Sequence, residues 1–277
     1  MVTSAGAPGA PAAVMARRNG LEVMTWPGLD GLGVDAVVTT RAGGVSTGAY
    51  ESLNVALHVG DDPDAVVENR RRAAAAIGAN LGDLVFGAQV HRTVARVVTA
   101  GDAGRGSTCA EDALAGTDVL VTAAAGPVLV TMVADCVPIV LVDPAARVLA
   151  SVHAGWRGST GGAVGAALHA MRALGARPEQ VVAGIGPAVS ARTYTVGRDV
   201  AGAVRSALGD DAGKVLAPTA AGHWLVDLPG VNRVELLRAG VPPEQVLVAP
   251  FTTGHGRFYS DRAERPCGRF ALLARLR

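Results

Sequence analysis

Four Val-rich runs, at residues 118–122, 128–133, 139–142 and 148–152, follow one another with only five residues between neighbours. Runs of this kind predict strands, and connectors that short cannot hold the helix a parallel crossover needs. Elsewhere helices intervene. Residues 65–77, preceded by Asp61, Asp62 and Pro63 and followed by Gly78, predict a capped helix. Further helices are predicted over residues 160–174, closed by Gly175, over 199–208, and from Asp227-Leu-Pro229 onward. Strands are predicted over 35–40, 84–90 and 181–185, with a last one over 245–249. Residues 101–116 read as an exposed loop carrying Cys109. A doubly wound parallel sheet would need a helix in nearly every connection. The predicted fold class is therefore α/β, a single domain of mixed β-sheets sandwiched with helices.

No linker or short-period repeat divides the chain, and ordered structure is expected over residues 21–277. Residues 1–13 are rich in Ala, Gly and Pro, and the pair Arg17-Arg18 follows that stretch instead of preceding an apolar one. Residues 1–20 thus read as a disordered tail and not as a secretory signal. With 25 Lys+Arg against 24 Asp+Glu, a formal charge of +1 and no block of like charge, a nucleic-acid binder is set aside. Asp135, Asp143 and Arg147 interrupt the most apolar region, so no stretch is long enough to span a bilayer. Cys109, Cys136 and Cys267 are odd in number and far apart, which argues against a disulfide framework and for a reducing compartment. The expected location is cytoplasmic.

Three metal-ligand residue types stand at the ends of predicted strands: His91 after residues 84–90, Cys136 after 128–135, and His153 after 148–152. If those strands are neighbours, the side chains converge at one rim. Two imidazoles and a thiolate suit zinc, with a fourth position left open. The same atoms also permit a metal-free reading, with Cys136 as nucleophile and His153 or His91 as its base. Around them, His153-Ala-Gly-Trp-Arg-Gly158 places Arg157 in a Gly-flanked turn ahead of a helix capped by Ser159 or Thr160, a setting that suits an anion. Arg41, in Thr40-Arg-Ala-Gly-Gly44, is a second candidate for an anion, and Asp135 can orient a ligand or polarise water. Gly184-Ile-Gly-Pro187 lacks the full dinucleotide fingerprint, and no P-loop is present.

Several motifs occur in order: Thr39-Thr-Arg-Ala-Gly-Gly-Val-Ser46, Ser52-Leu-Asn54, His58-Val-Gly-Asp-Asp-Pro63, Gln89-Val-His91, Ala134-Asp-Cys-Val-Pro138 and His153-Ala-Gly-Trp-Arg-Gly158. Gly184-Ile-Gly-Pro187, Phe258-Tyr-Ser260 and Gly268-Arg269 continue the series. Together they resemble the YfiH-like family, long labelled multicopper polyphenol oxidase (laccase) and also called peptidoglycan editing factor, over residues 20–277. The resemblance implies a single α/β domain and a zinc or copper site formed by His91, Cys136 and His153. It also implies purine nucleoside phosphorylase activity on adenosine, inosine, guanosine or methylthioadenosine, with some members deaminating adenosine.

On that footing Arg41 and Arg157 become candidates for phosphate, Asn54 and Gln89 for sugar or base, and Asp135 for carrying a proton. The expected partners are a nucleoside and phosphate, with no nucleic acid and no membrane. A copper polyphenol oxidase needs more His and Cys ligands than six His and three Cys readily supply. A metal-dependent amidase editing peptidoglycan precursors, a metal-free Cys/His hydrolase and a non-enzymatic binding protein are the alternatives. Phe251 stands where the family usually carries a second Cys. Of His58, His169, His223, His255, Cys109 and Cys267, most are expected to be structural or solvent-facing, with His58 the exception because it lies in a matched motif.

Overall fold

The computed structural model describes residues 11–220, 222–254 and 256–277. Its architecture follows from strands that are apolar on both faces and so must be covered on both. In chain order, β1 (Val14–Arg18), β2 (Leu21–Thr25) and β3 (Val34–Thr39) precede α1 (Pro63–Ala76). Then come β4 (Leu84–Phe86), β5 (Ala95–Val97), β6 (Val119–Thr122), β7 (Val128–Val133), β8 (Val137–Asp143) and β9 (Val148–Ala154). Helices α2 (Trp156–Gly161) and α3 (Ala163–Ala173) lead to β10 (Val182–Ile185) and β11 (Thr195–Val196), followed by α4 (Arg198–Leu208). The chain continues through β12 (Leu216–Pro218), β13 (Trp224–Val226), α5 (Leu228–Arg238), β14 (Val246–Val248) and β15 (Phe270–Leu276).

Two six-stranded mixed sheets result, ordered β1-β2-β3-β15-β7-β4 and β14-β10-β8-β9-β6-β5, with a small third sheet β11-β13-β12. Alternate residues of each central strand enter different cores. Leu129, Phe270 and Leu272 meet Leu120, Val140 and Leu149 between the two large sheets. Val130 and Leu273 turn outward against Ala73, Ala74 and Ile77 of α1 and its end. Val121, Ile139 and Val152 turn the other way, against Val164, Leu168 and Met171 of α3, in a core shared with α4 and α5. The expected single α/β domain is thus built as four layers: helix, sheet, sheet, helices. One polar pair, the hydroxyls of Thr131 and Ser151 at 2.8 Å, is buried between the sheets.

The capped helix over 65–77 is α1, with Asp62 accepting from the Asp64 amide and Pro63 in the first turn. The structure departs from the expected pattern at four places. The boundary at residue 20 splits a hairpin: β1 and β2 pair through Asn19-Gly20, whose φ values of 45° and 85° are those of the Asn-Gly turn favoured in two-residue hairpins. Residues 14–20 are therefore ordered, while residues 1–10 lie outside the described residues. The helix expected over 160–174 is broken by Gly162, at φ 89°, into α2 and α3. Strand β4 stops at Phe86, well short of residue 90. The last strand is β15, in the middle of the first sheet, and not the run at 245–249. Among the described residues no helix is long and apolar enough to cross a membrane.

Because Leu272 is fully buried between the sheets on a central strand, Leu272→Ala is expected to cost about 2–5 kcal/mol of stability. Urea unfolding followed by circular dichroism measures this, and a loss below 1 kcal/mol would contradict the layer assignment.

Candidate metal centre and its cleft

Two crossings between the large sheets bring the site together. The first runs from β7 to β8 through Ala134, Asp135 and Cys136, where Asp135 adopts φ 87°. The second runs from β4 to β5 and carries His91 at φ 57°. His153 lies within β9, opposite Pro138 of β8, and so sits beside Cys136. Left-handed backbone is unfavourable for residues with a side chain, and both positions are held by specific contacts. The Asp135 carboxylate accepts from the Thr253 hydroxyl, from Ser260 Oγ at 2.7 Å and from the Arg262 amide at 2.7 Å. The His91 loop is fixed by Gln89, whose side-chain amide bonds both the carbonyl and the amide of Met132 at 2.8 Å.

The loop is also fixed by Asp118, just ahead of β6. Its carboxylate accepts from the backbone amides of Val90, His91 and Arg92 at 3.3, 3.0 and 2.8 Å. The same carboxylate lies 2.8 Å from His153 Nδ1. An ionised carboxylate only accepts, so Nδ1 carries the proton and Nε2 is left as the electron-pair donor of the His153 ring.

One ligand atom each from His91, Cys136 and His153 lies within 4.8 Å of the others. The set is graded in exposure: His153 is buried, Cys136 half-buried and His91 exposed. Burial pushes the Cys136 thiol up, but His153 and His91 beside it more than reverse this, so the thiol is held well below its ordinary range. Burial likewise pushes His153 down, and the Cys136 thiolate and Asp118 together raise it above the usual imidazole range. Gly155 completes the cradle, since a Cβ there would stand 2.9 Å from Cys136 Sγ and 3.0 Å from His91 Nδ1. A thiolate, two imidazoles, a carboxylate behind one ring and no room for a side chain between the donors fit a three-ligand divalent-metal site.

The site opens into a cleft of about 590 Å³, and this volume accommodates a small organic substrate. Tyr194 and Arg262 line it near Cys136, and the Arg262 guanidinium lies 5.7 Å over the Tyr194 ring. His58, Arg70, Arg265 and Arg269 also line it. Of the residues expected in the site, His91, Cys136, His153, Asp135 and Gln89 line the cleft.

The remaining three expected site residues lie elsewhere. Arg41 is outside the lining, bonded to Glu264 at 2.8 Å and to the Glu51 carbonyl, with its guanidinium over Tyr259. Arg157 is exposed in α2, not in a turn, and lies over the Trp156 ring. Asn54 is fully buried, and its amide serves Ala56, Asp61 and the Arg269 backbone. Gln89 lines the cleft, but both its amide atoms are engaged by Met132.

Sequence reasoning missed Asp118, Arg70, Tyr194, Arg262 and Arg269. The visible signals were a carboxylate opening the apolar run Val-Leu-Val-Thr after Asp118 and the place of Arg269 in the matched pair Gly268-Arg269. Phe251 packs against the core between the sheets. Cys267 is buried, with its sulfur accepting from Arg269 at 3.3 Å. His169 and His223 are on the surface, and His255 lies outside the described residues.

Comparison with known proteins adds the following. Residues 35–277 match the family model described as multi-copper polyphenol oxidoreductase laccase. A protein named purine nucleoside phosphorylase YlmD, from Geobacillus stearothermophilus, is 38% identical over 239 residues, which cover 84% of this chain and 86% of that one. The crystal structure of YlmD from the same organism has a TM-score of 0.89 at 35% identity, over 95% of this chain and 97% of its own. A protein named adenosine deaminase RL5, from an unknown prokaryotic organism, is 35% identical, covering 83% of this chain and 88% of that one.

Asp118→Asn keeps an acceptor for the loop but loses the charge behind His153, and is expected to weaken Zn²⁺ binding about 10–100-fold. Gly155→Ala is expected to weaken it as well, by forcing Cys136 and His91 apart. Competition with a chromophoric chelator reads both, and unchanged affinity in the two variants would rule out a metal at this place.

Proposed function

Since this chain belongs to the multi-copper polyphenol oxidoreductase laccase family, we propose that its cleft cleaves purine nucleosides with phosphate at a zinc centre held by His91, Cys136 and His153. The substrates are adenosine, inosine, guanosine or methylthioadenosine, and the products are the free base and the sugar 1-phosphate. The observation that carries this reading is the three-donor cluster opening onto a cleft also lined by Arg70, Arg262, Arg265 and Arg269. Relatives named purine nucleoside phosphorylase and adenosine deaminase support it. The laccase label fits the residues poorly. Copper oxidases of that kind use several centres, and among the described residues one group of three possible ligands is found.

In phosphorolysis a phosphate oxygen bonds to the anomeric carbon as the glycosidic bond breaks. The bonding electron pair leaves with the purine, which takes up a proton. Zinc bound at the three donors would supply Lewis acidity at that end of the cleft. The chain's own residues supply position. Asp118 holds His153 in one tautomer, and Gln89 and Asp118 fix the loop of His91. Asp135, already accepting three hydrogen bonds, holds the turn that presents Cys136 and is a positioning residue. Arg262 and Tyr194 wall the cleft beside the centre. A second activity, replacement of the adenosine amine by water, is supported by the relative named adenosine deaminase. It needs no phosphate.

The metal-free hydrolase reading uses Cys136, His153 and Asp118 as nucleophile, base and orienting acid. The second imidazole of His91 within the same cluster favours metal instead.

Zinc-loaded protein incubated with inosine is expected to release hypoxanthine and ribose 1-phosphate only when inorganic phosphate is present. Liquid chromatography of base and sugar phosphate reads both products. Cys136→Ala and prolonged chelation are each expected to lower the rate at least about 100-fold, in line with loss of a catalytic metal. Release of hypoxanthine without phosphate, or full activity after verified metal removal, would overturn the proposal.

A further inference from the structure

The cleft wall holds a buried cation with no carboxylate bonded to it among the described residues. Arg70 is only 2% exposed. Its Nε donates to the Val55 carbonyl at 2.7 Å, and its Nη1 to the carbonyls of Gly106 and Ser107 at 2.6 and 3.0 Å. Its Nη2 has only the thioether of Met132 at 3.9 Å, a weak acceptor from another cleft-lining residue. No carboxylate is among these partners, and the ring of Phe86 lies 4.0 Å from the guanidinium carbon. A buried charge left in this state is costly unless an anion completes it.

Two further groups face the same space. Arg269 is pinned by its own neighbours: Nη1 donates to the Cys267 and Gly268 carbonyls, and Nη2 to Asp261 at 3.0 Å. No hydrogen bond engages its Nε among the described residues. The His58 imidazole, exposed on the cleft wall, is shifted below its ordinary range by partial desolvation and then by the positive charges of Arg269 and Arg70. All three residues line the same cleft. Two carboxylates are in the lining: Asp135 is taken up by Thr253, Ser260 and the Arg262 amide, and Asp261 already serves Arg265 as well as Arg269. Even with both included, positive charge is in excess.

We infer that Arg70, Arg269 and His58 form the seat of the inorganic phosphate co-substrate, within the cleft that the metal ligands also line. This rests on the phosphorolysis reading and deepens it. The purine is then placed toward Cys136 and Tyr194, and the anomeric carbon faces the phosphate across the cleft. Arg70 supplies a fixed charge with one free donor, Arg269 a rigid guanidinium, and His58 a ring able to accept from a protonated phosphate oxygen or donate to an ionised one.

The test uses zinc-loaded full-length protein and inorganic phosphate. Arg269→Gln and His58→Ala are expected to raise KM for phosphate about 10–100-fold, the loss of a charge-assisted hydrogen bond. KM for inosine and zinc content are expected to stay within twofold. Calorimetric titration with phosphate, without nucleoside, is expected to show the same loss of affinity in the variants. If the protein turns over no nucleoside, titration still decides: wild-type binding lost in Arg269→Gln upholds the subsite while the phosphorolysis reading fails. Absence of phosphate binding to the wild type, or equal binding by wild type and both variants, overturns the inference. Adenosine 5′-monophosphate is titrated in parallel. If it binds more tightly than adenosine and Arg269→Gln erases the difference, the seat belongs to a nucleotide's own phosphate and the assignment to the co-substrate is overturned.

Discussion

The carboxylate of Asp118 is the interaction on which the rest of the site depends. It is almost fully buried, and burial alone would drive it toward the neutral acid. His153 and three consecutive backbone amides more than offset that penalty and hold it ionised. The dependence is mutual. Without the charge, the loop of residues 90–92 has no anchor and His153 has no fixed tautomer. Without the loop, a carboxylate at this depth would not stay charged. One group thus settles the position of two of the three clustered donors, although it is not part of the cleft lining.

The layered architecture explains why the ligands come from such distant positions. His91 and Cys136 both lie on stretches that pass from one large sheet to the other, and His153 lies on β9, beside the strand that Cys136 leads into. β4 and β7 are parallel neighbours, so the two stretches that leave their C-terminal ends depart from the same end of the first sheet. Side chains there are fixed by the sheets yet face a cleft. Long-range pairing supplies the precision that a catalytic centre needs, and it does so without any local ligand motif.

This also accounts for what could be read from the amino-acid sequence. The four Val-rich runs predicted strands joined directly, and the structure builds mixed sheets from them. The three ligands were visible as His or Cys at strand ends, because a strand end is where a side chain can leave the core. Arg41, Arg157 and Asn54 lie outside the cleft lining, for a common reason. Each lies in a matched motif, yet its polar atoms or its ring contact serve the fold: Arg41 on Glu264 and Tyr259, Arg157 on Trp156, Asn54 between two loops. Motif membership marks a residue as constrained and does not distinguish a structural constraint from a chemical one. Arg70 and Asp118 were passed over because their environments depend on partners 15 to 62 residues away. The hairpin at Asn19-Gly20 was legible from its turn residues and was obscured by the tail that precedes it.

Gln89 carries a consequence of its own. A primary amide has the same pair of groups as a peptide unit, and this one occupies both hydrogen-bonding groups of Met132, as a neighbouring strand would. It imitates one more rung of the ladder after β4 has ended. The chain can therefore peel away from the sheet early, carrying His91 with it, while the edge of β7 is still dressed as though the strand ran on. The departure point of the loop is written in a side chain and not in the backbone, so the centre's geometry is inherited from a forgery of β-structure.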